Sequence, residues 1–503
     1  MGSRILSVVD AGMTGRLTEI ECHISNGLPS IVIVGSASRA VDEAKERLRG
    51  AFTNSHLLMP KRRITINLAP SDIPKDTAGL DLAIATVLLA ASKQIPYPSE
   101  DILILGEIGL DGKTRPIRGI IGKLLTAKKH GINVAYISAD NLAQATLVTG
   151  IRLYAVESLR DLYDHLNGIR PIMPAKNATT LNNRIPSNGL DMADVTGQEA
   201  AKRALEIAAA GGHNIIMSGP PGTGKSMLAK AMVSLLPELT PEELLEVTHL
   251  HSLASSDYEH IVYNRPFRSP HHTASSISII GGGQKPRPGE ISLSHGGVLF
   301  LDELPEFHRD TIEALRQPLE DRVISVARAS GNIVYPANFI LVATANPCPC
   351  GYLGSSRACE CMPHQIARYQ RKLSGPIMDR IDLYVDVQEV EHDKLLHKQQ
   401  SARTSNEFRV RVEKARELQT ARFKKPMTNA LMTNRQLKQL AHLLPEAEQL
   451  LNKAATSLQL SPRVYMRTIK VGRTIADLDG AADIAPGHVA EALQYRQRQQ
   501  EFL

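Results

Sequence analysis

Apolar positions along this chain fall into two stretches of short runs separated by helical spacings, followed by a third stretch that is helical throughout. In the first, Ile31–Val34, Ile64–Leu68 and Ile102–Leu105 are compact β-branched or aliphatic runs that predict strands, while Ala40–Ala51 and Asp81–Ala91 predict helices. Over Ile169–Asn188 the periodicity lapses and Pro and Asn accumulate, which reads as a linker. A second α/β stretch begins near Leu190, with strands expected at Asn214–Ser218, Val298–Leu301 and Phe339–Thr344. Beyond Glu391 the spacing is helical to near Phe502. The expected organisation is therefore an α/β domain at 1–168, a linker at 169–188, a second α/β domain at 189–390 and a helical segment at 391–503. Neither solenoid-length repeats nor low-complexity tracts interrupt it.

Composition changes this picture little. The chain has 503 residues, 43% hydrophobic and 22% charged, so each block is long enough to bury its own core. Aromatic residues make up only 4%, with no Trp, which argues against reading nucleic acid by base stacking but leaves backbone binding through Lys and Arg open. The net charge of +6 is unevenly placed. Residues 1–168 carry 19 basic and 17 acidic groups, 169–390 carry 20 and 23, and 391–503 carry 19 and 12. A basic C-terminal segment serves either a polyanion partner or simply a solvated helix face. No apolar run approaches the ~20 residues that span a bilayer, and no secretory leader is visible, so no membrane partner and a cytoplasmic location are expected.

Candidate chemistry is more specific. Gly219-Pro220-Pro221-Gly222-Thr223-Gly224-Lys225-Ser226 matches the phosphate-binding loop G-x-x-x-x-G-K-[ST], preceded by the apolar run Ile215–Met217 and followed by the helical run Met227–Leu236. Glycines let backbone N–H groups close around phosphates, Lys225 is placed to reach the β- and γ-phosphates of ATP, and Ser226 to hold Mg²⁺. About 80 residues on, the strand Val298–Leu301 ends in Asp302 and Glu303. Asp302 suits a water-mediated Mg²⁺ contact, and Glu303 suits polarising the attacking water. The third strand ends at Asn346, whose amide either orients that water or makes a turn.

Five cysteines in so long a chain are not a disulfide scaffold. Cys348-Pro-Cys350 and Cys359-Glu-Cys361 form two close pairs suited to a tetrahedral Zn²⁺ site, with four reduced thiols or two disulfides as the alternatives. Arg357, His364, Arg368, Arg371 and Lys372 surround them, which makes this hairpin a candidate DNA contact, with Arg357 nearest. Cys22 stands alone and reads as a buried apolar residue.

Phe267-Arg-Ser-Pro-His-His-Thr273, Gly281-Gly-Gly283, Arg287-Pro-Gly-Glu290, Ile291-Ser-Leu-Ser-His-Gly-Gly-Val298, Leu315-Arg-Gln-Pro-Leu-Glu320 and Ser374-Gly-Pro-Ile-Met-Asp-Arg-Ile-Asp382 closely resemble the AAA+ module of the magnesium-chelatase-related ComM/YifB family. The resemblance covers nearly the whole chain, and Asn-Pro-Cys-Pro-Cys-Gly at 346–351 shares that family's pattern. The module is also similar to the magnesium chelatase ATPase subunit and the replicative MCM helicases. The resemblance implies a P-loop AAA+ α/β domain with a four-cysteine zinc insertion at 347–364 and a C-terminal helical lid. Asn346 then matches sensor 1, Arg380 the arginine finger supplied in trans, and Arg463 sensor 2; without it, either arginine reads as a surface or ion-pair residue.

Gly106-Glu-Ile-Gly-Leu-Asp-Gly112, Pro116-Ile-Arg-Gly119, Gly122-Lys-Leu-Leu125 and Pro74–Gly79 resemble the proteolytic domain of Lon. Thr77 stands at the nucleophile position and Ile121 at that of the activating Lys, with Lys123 matching a later, non-catalytic one. This implies a degenerate, inactive Lon-like α/β domain. The family resemblance implies a homo-hexameric DNA motor that migrates branched DNA, single- or double-stranded, during recombination of incoming DNA in natural transformation. In MCM-like relatives, hairpins in the corresponding places project into the ring. Here they are Val323–Tyr335 with Arg328 and Gly281–Gly289 with Lys285 and Arg287. A chelatase-like ATPase that remodels a protein and a Lon-like protease are the competing readings.

Overall fold

The computed structural model describes residues 3–35, 40–70, 77–97, 102–175, 190–283, 287–326, 332–372, 377–390 and 403–496. Two compact units emerge, and neither is contiguous. One comprises Met1–Arg184, Thr240–Tyr263 and Ala327–Tyr335; the other comprises Ile185–Leu239, Asn264–Val326 and Pro336–Leu503.

The first unit is built on a seven-stranded mixed sheet in the order Ser30–Val34, Arg63–Ala69, Thr14–Ser25, Ser3–Ala11, Ile102–Leu105, Val134–Ser138, Arg152–Val156. Ser3–Ala11 and Thr14–Ser25 form a hairpin, with Ala11 opposite Thr14. Alternation along Ser3–Ala11 sends Ile5 and Val9 into one core and Leu6 and Val8 into the other, so both faces of this central strand are buried. The helix Asp81–Ala91 is buried at ten consecutive positions, apolar all round except for Thr86 and the buried Asp81, which is paired with Arg47. On the other face, Ile120–Lys129 packs beside Pro241–Ala254, which begins at a Thr240/Glu243 capping box. Thus a helix that lies in sequence within the nucleotide-binding segment belongs to the first unit. There His249 Nε2 is 2.9 Å from the Met13 carbonyl. The start of the expected linker is also bound to this unit: Ile172 N–H donates to His165 Nδ1 at 2.8 Å and Ala175 N–H to the Leu153 carbonyl at 2.7 Å. Residues 176–189 lie outside the described residues.

The second unit has a five-stranded, wholly parallel sheet in the order Phe267–Arg268, Val298–Leu301, Ile340–Ala345, Ile215–Ser218, Leu383–Asp386. Numbered along the chain, that order is second, third, fourth, first, fifth. The order turns back at Ile215–Ser218, and the crevice outside the strand ends at such a switch point is where ligands bind. C-terminal helices Ser405–Phe423, Asn434–Leu440, Pro445–Ser457, Pro462–Leu478 and Pro486–Gln494 complete it. They are held partly by Asp477, fully buried between Arg422 and Arg473. Among the described residues, no helix is long and apolar enough to cross a membrane.

Candidate active site

Strand register brings the site together. Ser218 pairs with Ala345 and Leu301 with Ala343, so Gly219 is level with Asn346 and Asp302 with Thr344. Between Ser218 and the helix Lys225–Ala231, Gly222 and Gly224 adopt φ of 82° and 85°, where a side chain is strained. The buried Lys225 ammonium donates to the carbonyls of Gly219 at 2.6 Å and Pro220 at 2.7 Å, and lies 3.4 Å from Asn346 Oδ1. Burial draws its pKa down, while the fields of Asp302 and Glu303 oppose that shift. Thr223 Oγ1 donates to the Pro220 carbonyl at 2.9 Å and closes the loop.

The two carboxylates are held differently. Asp302 accepts from Ser226 Oγ at 3.1 Å and from Thr344 Oγ1 at 2.6 Å. Glu303 has the left-handed φ of 54°, a strained conformation of the sort that clusters at functional sites. Its backbone N–H donates to Thr344 Oγ1 at 2.8 Å, and its Oε1 accepts from Asn346 Nδ2 at 3.4 Å. The amide of Asn346 therefore spans Lys225 and Glu303. One chain of contacts runs Ser226–Asp302–Thr344–Glu303–Asn346–Lys225, side chain to side chain except for the Glu303 backbone N–H on Thr344.

Thr344 stands at the end of a strand in the sequence reading, which gives it no role in the site. It is fully buried, and its one hydroxyl orients both acids. Thr344→Val keeps the shape but leaves the Glu303 N–H and an Asp302 oxygen without that partner. The expected result is a kcat lowered by roughly 10- to 100-fold with ATP affinity little changed, checked by steady-state hydrolysis beside nucleotide titration. Unchanged kcat would remove Thr344 from the site.

Arg380 and Arg463 share one charged cluster. Arg380 pairs with Glu320, and Arg463 Nη1 meets Asp379 Oδ2 at 2.9 Å. The Arg380 hydrogen bond and charge, with the fields of Arg463 and Arg316, hold the Glu320 carboxyl below its usual range. Glu320 and Asp379 are the partners that sequence reading missed.

Just beyond Asn346 the four cysteines converge. Their sulfurs all lie within 4.8 Å of one another, with Cys348 Sγ 3.4 Å from Cys350 Sγ and both 3.6 Å from Cys359 Sγ. All four are free thiols. Sulfurs of a tetrahedral zinc site with bonds of about 2.3 Å lie about 3.8 Å apart, so the donor set fits Zn²⁺. The Cys350 N–H donates to Cys361 Sγ at 3.4 Å.

The candidate DNA contacts are less complete. Lys285 and Arg328 lie outside the described residues. Arg287 is exposed on the short strand Arg287–Pro288, paired with Gly281–Gly282. Arg357 is turned onto Tyr352, 4.5 Å from the ring centroid. The hairpin arms expected around Arg328 are present as strands Val323–Val326 and Ile333–Pro336. In the first unit, Ile121 is fully buried and the Lys123 ammonium is engaged by Asp10 and, at 3.0 Å, by the Arg118 carbonyl. Thr77 opens the turn Thr77–Leu80.

Three family models match successive parts of the chain: "Subunit ChlI of Mg-chelatase" at residues 20–141, "Magnesium chelatase, subunit ChlI" at 191–395, and "Magnesium chelatase, subunit ChlI C-terminal" at 402–496. The chain is 42% identical to Competence protein ComM of Haemophilus influenzae over 497 residues, covering 98% of this chain and 97% of that one. It is 40% identical to YifB of Escherichia coli over 479 residues, 95% and 93% of the two chains. A magnesium-chelatase 67 kDa subunit of Heliobacterium mobile is 28% identical over 247 residues, 40% of this chain and 36% of that one.

Proposed function

Because this chain belongs to the magnesium-chelatase-related AAA+ family that includes Competence protein ComM and YifB, we propose that it is an ATP-hydrolysing motor that works on DNA as a homo-hexameric ring. The observation that carries the ATPase reading is the continuous contact chain from Ser226 through Asp302, Thr344, Glu303 and Asn346 to Lys225. Residues 219–226 cradle the phosphates, and Lys225 exchanges its loop carbonyls for phosphate oxygens. Ser226 and Asp302 are the residues that would hold Mg²⁺, which neutralises charge on the β- and γ-phosphates. Glu303 accepts a proton from the attacking water as its oxygen bonds to the γ-phosphorus. The bond to the β–γ bridging oxygen breaks, and ADP leaves with that electron pair. Asn346 orients the water. Arg380 enters the neighbouring subunit's site as the arginine finger and Arg463 acts as sensor 2. Cys348, Cys350, Cys359 and Cys361 would hold a structural Zn²⁺, and the first unit is a degenerate Lon-like domain. The buried Ile121 and the engaged Lys123 support that last assignment.

The substrate reading rests on the family: branched DNA handled during recombination of incoming DNA. The basic excess in 391–503 and the exposed Arg287 support it. Neutralising Lys285, Arg287 and Arg328 together is expected to abolish DNA stimulation of ATPase and strand exchange, while basal ATPase and ring assembly survive. Assembly is read by light scattering on the same samples, because a collapsed ring would also displace Arg380. A triple variant with full DNA-coupled activity puts the DNA path elsewhere.

A second reading, a chelatase-like ATPase that remodels a protein, is favoured by the three family models. ATPase rates with branched DNA, linear duplex and no DNA separate the two. The motor reading expects the largest rate with branched DNA. Equal rates in all three reject it in favour of the second.

A further inference from the structure

We propose that the four-cysteine hairpin is part of the nucleotide site, and that metal held by Cys348, Cys350, Cys359 and Cys361 sets the position of Asn346 and of the Pro221 corner of the phosphate loop, so that metal occupancy governs ATP affinity. The inference rests on reading the cysteines as zinc ligands.

The hairpin and the helix that follows it touch the site at three places. Cys348 is two residues beyond Asn346, and the Gly351 N–H donates to the Cys348 carbonyl at 3.0 Å to close the turn. That turn lies directly on the phosphate loop. A Cβ on Gly351 would stand 2.8 Å from Pro221 Cδ and 3.9 Å from Asn346 Cγ. Two residues after Cys361, the helix Pro363–Lys372 carries the contacts back. Tyr369 is buried on this helix, Gln370 Nε2 donates to the Pro347 carbonyl at 3.2 Å, and Lys372 Nζ lies 3.5 Å from Glu306 Oε2. Glu306 ends the turn Leu304–Glu306 that begins just after Glu303.

A hairpin this short has no core of its own, so its shape comes from the cross-link between its thiolates. Cys348 is fully buried and the other three are half-buried, which places the cross-link at the base of the hairpin beside Asn346. Consecutive Cα atoms are about 3.8 Å apart, so a two-residue tether cannot absorb a displacement of Cys348 without moving Asn346. Loss of metal frees the Gly351 turn that abuts Pro221 and the span between Asn346 and the Tyr369 helix together.

The test is an equilibrium titration of the full chain with a fluorescent ATP analogue and Mg²⁺, with zinc content measured on the same samples. Stripping zinc with a chelator is expected to raise Kd about tenfold, and restoring zinc to reverse it; circular dichroism checks that the fold survives. Gly351→Ala is expected to retain zinc yet raise Kd about tenfold, because its Cβ presses on Pro221. Gly354→Ala is the control. Gly354 has a similar φ, 77° against 85° at Gly351, but nothing lies within 4 Å of its Cβ, so both zinc and wild-type Kd should be kept. Zinc present in the wild type with unchanged Kd after stripping overturns the inference, as does a Gly354→Ala effect equal to that of Gly351→Ala. Freshly purified protein that neither contains nor takes up zinc overturns the metal reading, and the inference with it.

Discussion

Glu303→Gln is expected to bind ATP at near wild-type affinity and to hydrolyse it roughly 10²- to 10⁴-fold more slowly. The amide has the same size as the carboxylate and still accepts from Asn346 Nδ2 through its oxygen. The backbone of residue 303 remains tied to Thr344 Oγ1, so the strained φ of 54° is kept. Only the proton acceptor is lost, and with it the means of activating water. Lys225→Ala should behave in the opposite way. Its ammonium is buried among the oxygens that phosphate would replace, so truncation removes charge-assisted contacts made on binding and should raise Kd about 10- to 100-fold. Single-turnover hydrolysis beside nucleotide titration separates the two. Wild-type hydrolysis by Glu303→Gln rejects Glu303 as the base.

How much of this was readable beforehand depended on burial and on distance along the chain. Strands buried on both faces, such as Ile102–Leu105, Val298–Leu301 and Ile340–Ala345, write themselves as unbroken apolar runs. Thr14–Ser25 does not. Its exposed positions include Arg16, Glu21 and His23, so a twelve-residue strand reads as polar chain. Phe267–Arg268, at the sheet edge, is only two residues long. Motifs whose chemistry is local were visible: the phosphate loop, the acidic pair and the cysteine pairs each lie within a few residues. Thr344 was not, because its role comes from the register of Leu301 on Ala343, forty-two residues apart. Arg380 could be recognised by motif, but its partner Glu320 is sixty residues away and only folding joins them. The Thr240/Glu243 capping box marks where the helix Pro241–Ala254 starts, yet nothing in its spacing says that it packs beside Ile120–Lys129.

Cys348→Ser with Cys350→Ser is expected to lower bound zinc from about one ion per chain to none and to unfold the hairpin it braces. In small zinc modules the metal supplies about 10–16 kcal/mol of apparent binding energy, far more than a segment of this size gains from packing. Serine oxygen is a poor substitute for thiolate, and the double change removes the two sulfurs that lie 3.4 Å apart at the base. The two remaining cysteines keep half a coordination shell, too little to hold the ion against water. A buried serine at 348 would also sit beside Asn346 with an unmet hydrogen-bonding group, so the damage should not stop at the hairpin tip. Elemental analysis reads the loss of metal. Limited proteolysis reads the unfolding, with new cleavage expected after Arg357 while the parallel-sheet core resists. A double variant that retains zinc and the wild-type cleavage pattern rejects the four-cysteine site, whatever its ATPase rate.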